Sequence, residues 1–294
     1  MRAVATAAIV LAVALAVPAA GCAGPRGARP GAGQGAATAA GAASMPATAD
    51  GPGTHTRTPS AVAQLCGPPD APGQLITVRA ADGVRLAAVA AGAGERGVVL
   101  IPELGQLGKC GWWDFAAYLA ARGYRVLLFD HRCTGESACA PGPGGGGLMS
   151  DIRGTVTRLR QEGAARIALV GASQGGSEAL IAATAPPRGV TGVVALSADE
   201  LTLPLASRPY PATALAAVRH LRLPVLFAVA TADPYVSVRE TRHLLATAGS
   251  RSKRLIVLGG GAGHGWDLVS PTLPGGRRPA FSQTMLAFLR GITS

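Results

Sequence analysis

Aromatic residues make up only 4% of the 294-residue chain, too few for the stacked platforms that bind single-stranded nucleic acid. Lysine is scarcer still. Of 27 basic residues only Lys109 and Lys253 are lysines, set against 16 acidic residues and a formal net charge of +11. The arginines are scattered, with Arg153/Arg158/Arg160, Arg219/Arg222 and Arg277/Arg278 as the tightest groups. Such groups read as solvated helix faces or loops, so no nucleic-acid partner is expected. Beyond the N-terminus no apolar run is long enough to span a bilayer. No His or Cys spacing suits zinc, and neither metal nor cofactor is expected. Hydrophobic residues nonetheless reach 48% and fall in periodic blocks. That excludes a collagen-like or wholly disordered chain and leaves ample material for a buried core.

Cysteine is sparse too, and its placement is informative. Arg2 precedes the apolar run Ala3–Val17, and Pro18-Ala19-Ala20-Gly21-Cys22 follow. The run is short for a membrane span and reads as a secretory signal over residues 1–21. The small residues before Cys22 resemble a bacterial lipobox, although Ala19 stands where leucine is usual. The resemblance implies a diacylglycerol on Cys22 and a lipoprotein held on the outer side of the cell membrane, with simple cleavage and secretion as the alternative. Lipidation of Cys22 leaves Cys66, Cys110, Cys133 and Cys139, an even number that suits two disulfides in an exported chain. Residues 22–63 are rich in Ala, Gly and Pro and poor in bulky apolar residues. They cannot offset the entropy of ordering and read as a disordered tether ahead of a folded domain over 64–294.

Within that domain, Gln74–Arg79 and Val84–Ala90 alternate around the turn Ala81-Asp82-Gly83 and predict a hairpin. Val98–Ile101, Val126–Phe129, Ile167–Val170, Val193–Leu196, Val225–Val229 and Leu255–Leu258 are short, continuous apolar runs. Runs of this kind predict strands covered on both faces of a parallel sheet. Helical patterns lie between them, at Trp112–Ala121, Leu148–Gln161, Gln174–Ala185, Pro211–Leu221, Val236–Ala248 and Pro279–Arg290. The alternation predicts one doubly wound α/β domain with a mostly parallel eight-stranded sheet and chemistry at the C-terminal strand ends.

Directly after the run Ile167–Val170 stands Gly171-Ala172-Ser173-Gln174-Gly175-Gly176. A G-x-S-x-G sequence between a strand and a helix puts a serine on a sharp turn with its hydroxyl projecting. That hydroxyl needs a base, and the base needs an orienting group. Of the five histidines, His55 falls in the tether, and His220 and His243 fall in helical segments. The neighbours of His131 suggest a loop-organising role. His264 follows the last strand in a run of glycines that gives an imidazole room to approach, and it is the expected base. Asp233, just past Val225–Val229, is the expected carboxylate, with Asp199 past the preceding strand as the alternative.

These residues resemble the α/β-hydrolase superfamily, which carries a serine elbow, an acid and a histidine in that chain order. Asp130-His131-Arg132-Cys133-Thr134-Gly135-Glu136-Ser137 is similar to the superfamily's loop after strand 4, with Cys133 where glycine is usual. The resemblance implies an oxyanion hole made by the backbone N–H groups of Leu104 and Gln174. It departs at Pro102-Glu103, where the superfamily usually has His-Gly. Its fold would place Cys110 and Cys133 after neighbouring strands, making Cys110–Cys133 one candidate bridge and Cys110–Cys139 another.

The short stretch between Ser197 and Pro224 argues against a large cap domain. The implied activity is hydrolysis of a small-molecule ester or related acyl compound by Ser173, His264 and Asp233 through an acyl-enzyme. Lipase, thioesterase and peptidase chemistry would use the same mechanism. The alternative, favoured by the loss of His-Gly, is a catalytically silent envelope lipoprotein that binds a ligand or partner.

Overall fold

The computed structural model describes residues 59–139, 147–200, 213–271 and 276–294. The signal-like run, Cys22 and the tether before residue 59 lie outside them, as does the first part of the helix expected over Pro211–Leu221. No described helix is long and apolar enough to cross a membrane.

Eight strands form one sheet: β1 (Gln74–Arg79), β2 (Arg85–Ala91), β3 (Arg96–Ile101), β4 (Tyr124–Phe129), β5 (Arg166–Ala172), β6 (Val190–Leu196), β7 (Val225–Ala230) and β8 (Lys253–Leu258). Their spatial order is β1-β2-β4-β3-β5-β6-β7-β8. The expected hairpin pairs Gln74 with Ala90 and Arg79 with Arg85, and β2 also runs antiparallel to β4. Every later neighbour is parallel.

Five of the six continuous apolar runs are buried on both faces because helices cover both; the sixth, in the edge strand β8, is only partly covered, with Val257 39% exposed. Val98 and Leu100 of β3 face one core layer, and Val99 and Ile101 face the other. The first layer packs against α2 (Trp113–Ala120) and α7 (Phe281–Thr293), through Phe115, Leu119, Met285 and Leu289. The second packs against α3 (Gly147–Gln161), α4 (Gln174–Ala182), α5 (Ala214–Val218) and α6 (Val238–Thr247), through Ile152, Val156, Leu180, Val218 and Leu244. Side chains that alternate in period 2 serve the two layers in turn. From β3 the chain goes to β4 on one side and then to β5 on the other, which opens a crevice at the C-terminal ends of β3 and β5.

Three features depart from the sequence reading. A helix, α1 (Ala61–Cys66), precedes the sheet, with Ser60 accepting a capping bond from the Ala63 N–H at 3.2 Å. Six residues are too few to show a helical period. The predicted helices shorten or slide by a few residues, and α6 starts at the Ser237/Glu240 capping box rather than at Val236. Finally, neither Cys110–Cys133 nor Cys110–Cys139 forms.

The bridges are Cys66–Cys110 and Cys133–Cys139. The loop after β4 folds on itself around buried Asp130, which accepts bonds from the Lys109 amide (2.8 Å), the Lys109 ammonium (2.7 Å) and the Glu136 amide (3.2 Å). That closure brings the Cα atoms of Cys133 and Cys139 within 4.5 Å of each other. Cys110 faces the other way, toward α1, with its Cα 4.9 Å from that of Cys66. Trp113 pins the same segment by donating from Nε1 to the Pro69 carbonyl at 2.9 Å.

Candidate active site

Ser173 follows β5 directly and is the N-cap of α4, with φ 50° and ψ −121°. A residue with a side chain rarely holds such a conformation unless its surroundings impose it. Here they do. A Cβ on Gly171 would strike the Gly175 backbone, and one on Gly175 would strike the Ile101 and Pro102 carbonyls. The two glycines of the motif therefore let α4 press against the turn and against the end of β3. The Ser173 N–H donates to Leu196 O at 2.8 Å, tying the turn to β6.

Past β7, the side chain of Asp233 is fully buried, and both its oxygens face His264 Nδ1, at 2.9 and 3.0 Å. The amides of Tyr235 and Val236 each donate to Asp233 Oδ1 at 3.0 Å. Burial pushes this carboxyl up, but the Ser197 hydroxyl, the two amides and the histidine outweigh it and hold the group below the ordinary aspartate value. Asp233 thus stays ionised and fixes the ring, leaving Nε2 as the nitrogen that can take a proton. The Tyr235 ring stands edge-on to the imidazole, 4.8 Å between centroids.

Asp199 is turned elsewhere. Its Oδ1 accepts from the Ser177 hydroxyl at 2.5 Å, and burial raises its pKa. The histidine loop itself lies against the serine turn, since a Cβ on Gly265 would stand 3.3 Å from the Cβ of Ala172. The Gly265 N–H donates to the Ser197 hydroxyl at 3.0 Å.

Ser197 is the residue that sequence reasoning missed. It follows β6, is fully buried, and takes φ 48°. Its hydroxyl joins Asp233 to the loop that carries His264. Nothing in the sequence Ser197-Ala198-Asp199 separates this serine from its neighbours, and only the positive φ reveals it.

The expected oxyanion donors come from two different elements, the start of α4 and the loop after β3. Gln174 opens α4, so its N–H lies at the positive end of the helix dipole. Its side chain is buried, with Nε2 donating to Glu178 Oε1 at 2.6 Å. Leu104, in the loop after β3, is 45% exposed. The buried Nε2 of His131 lies 3.2 Å from Pro102 O and 3.6 Å from Glu178 Oε2. A cavity of about 630 Å³ lies beyond the histidine loop, lined by Leu107, Trp266 and the Cys66–Cys110 bridge among others. Its wall includes neither Ser173 nor His264.

Residues 107–209 match a family model described as serine aminopeptidase, S33. No curated protein matches the chain's sequence significantly. Among solved structures, an esterase from Pyrococcus furiosus superimposes with a TM-score of 0.63 at 18% identity, covering 76% of this chain and 92% of that one. An esterase from Rhodococcus sp. gives 0.57 at 20% identity, covering 74% and 99%. A hydrolase from Pseudomonas aeruginosa gives 0.56 at 20% identity, covering 74% and 98%. Sheet order, the family match over part of the chain and these superpositions agree that the chain has an α/β-hydrolase fold.

Proposed function

We propose that this protein is a serine hydrolase of small-molecule esters, acting through Ser173, His264 and Asp233. The observation that carries the reading is the His264–Asp233 pair, 2.9 Å apart and held against a strained serine turn. The similarity to esterases of the same fold supports it.

In this mechanism His264 Nε2 takes the Ser173 proton as Oγ attacks the ester carbonyl. Asp233 stabilises the resulting imidazolium. The N–H groups of Gln174 and Leu104 receive the developing oxyanion. The imidazolium then protonates the leaving alcohol, and water repeats the sequence on the acyl-enzyme. The acyl group meets exposed apolar side chains at Leu104, Leu107 and Tyr235. Incubation with p-nitrophenyl acetate and butyrate tests this. Each buried CH₂ contributes about 0.8 kcal/mol, so two should raise kcat/KM by about 15-fold. Failure to turn over any ester of the series would favour the silent binder, for which Pro102-Glu103 is the supporting departure.

The protein acts outside the cytoplasm in this reading, anchored by a lipid on Cys22. Two disulfides among the described residues, and the apolar run ahead of Cys22, support export. Replacing Cys22 by Ala should move the protein from the membrane fraction to the soluble fraction of fractionated cells. Unchanged partition would refute the anchor.

A further inference from the structure

Glu103 stands where the superfamily pattern has glycine, and the structure makes room for its side chain in an unusual place. Its Oε2 rests on the backbone of Gly265, where any Cβ would collide with it. Gly265 is at φ 55°, directly after His264. Oε2 is shut off from solvent and has no hydrogen-bond partner among the described residues, while the Trp266 amide donates toward the carboxyl group. Glu103 also immediately precedes Leu104, so one side chain spans the gap between the oxyanion loop and the loop of the base.

The charges around this carboxyl are of its own sign. Asp267, on the 3-10 turn Gly265–Leu268, and Asp233, after β7, both act on it. Asp267 also holds the base loop from within, its Oδ2 lying 3.4 Å from the His264 N–H. From the other side, His131 meets the Pro102 carbonyl at 3.2 Å and Glu178 of α4 at 3.6 Å. Among the described residues no Lys, Arg or His forms an ion pair with Glu103. An ionised carboxylate here would face two others with only the Trp266 amide to offset them.

We propose that the Glu103 carboxyl is a proton-dependent strut, holding the 102–106 loop and the His264 loop in register while protonated and forcing them apart when ionised. Glu103 is thus a positioning residue, and its effect on rate rests on the ester-hydrolase reading. Burial first, and then Asp267, raise its pKa from 4.5 to about 8. The proton is therefore in place at neutral pH and lost in mildly alkaline solution.

A folded-state pKa above the unfolded one means that the native form holds the extra proton. The associated stability is complete below the unfolded value, 4.5, and is lost as pH rises through about 8. Glu103→Gln keeps the shape and the neutral charge at every pH. The thermal midpoint of the wild-type protein, measured from pH 5 to 9, should fall steadily relative to that of the variant and then level off. Parallel midpoints would overturn the proposal whether or not any ester is hydrolysed.

Turnover of p-nitrophenyl butyrate supplies the second reading. At pH 9 roughly a tenth of a group with pKa 8 keeps its proton. The ratio of kcat at pH 9 to kcat at pH 7 should therefore be about tenfold higher in Glu103→Gln, with KM little changed. Identical pH profiles in two active proteins would show that the carboxyl does not position the loops. Diverging midpoints without turnover in either protein would support the strut and refute the esterase.

Discussion

Ser173→Ala should abolish labelling by a fluorophosphonate probe and lower kcat for p-nitrophenyl butyrate by about 10⁶-fold, the scale typical of losing a triad nucleophile. The effect is large because nothing can replace the hydroxyl on that turn. Ser177, the next serine along α4, is committed to Asp199 at 2.5 Å. Ser197 is fully buried between Gly265 and Asp233. A residual rate about 10³-fold above the uncatalysed one should survive, since binding and the oxyanion donors remain. Retained labelling in a folded Ser173→Ala protein would end the nucleophile assignment.

The second large effect is expected from Asp233→Asn, a loss of about 10⁴-fold in kcat. An asparagine amide would turn an N–H toward His264 Nδ1 and force the proton onto Nε2, the nitrogen that must be free. The size of the loss follows from how many contacts fix this carboxylate: two backbone amides, the Ser197 hydroxyl and the ring. Asp199→Asn is the control. Its partner Ser177 remains able to bond an amide oxygen, so kcat should stay within about tenfold of wild type. A greater loss at position 199 than at 233 would exchange their roles.

The strands were legible because double-sided burial leaves an unmistakable mark, runs such as Val98–Ile101 and Val225–Val229 in which no polar residue is tolerated. The serine turn was legible for a related reason. Its two glycines are required by backbone contacts at β3 and within the turn itself, so they recur at fixed offsets from the serine. Asp233 and His264 followed from the rule that chemistry collects at strand ends.

What escaped was whatever depends on how loops meet. The cysteine pairing turns on the direction Cys110 faces, and sheet order alone does not set that. It misleads, because the loops after β3 and β4 are neighbours while their cysteines face apart. Ser197 is invisible because a hydroxyl bridging two loops leaves no periodic trace. Glu103 was visible as an anomaly in the superfamily pattern, yet its place on Gly265 comes from a tertiary contact 162 positions away in sequence.

The Cys66–Cys110 bond decides where a mechanical load applied at Pro59 would travel. β1 is an edge strand, the kind of element that unzips one hydrogen bond at a time when pulled from its end. The cross-link lies upstream of it and diverts the tension from α1 into the turn that leads to α2. The sheet's margin is thereby spared, and a pull on the N-terminal side is borne by a covalent bond seated on the tryptophan-packed side of the core.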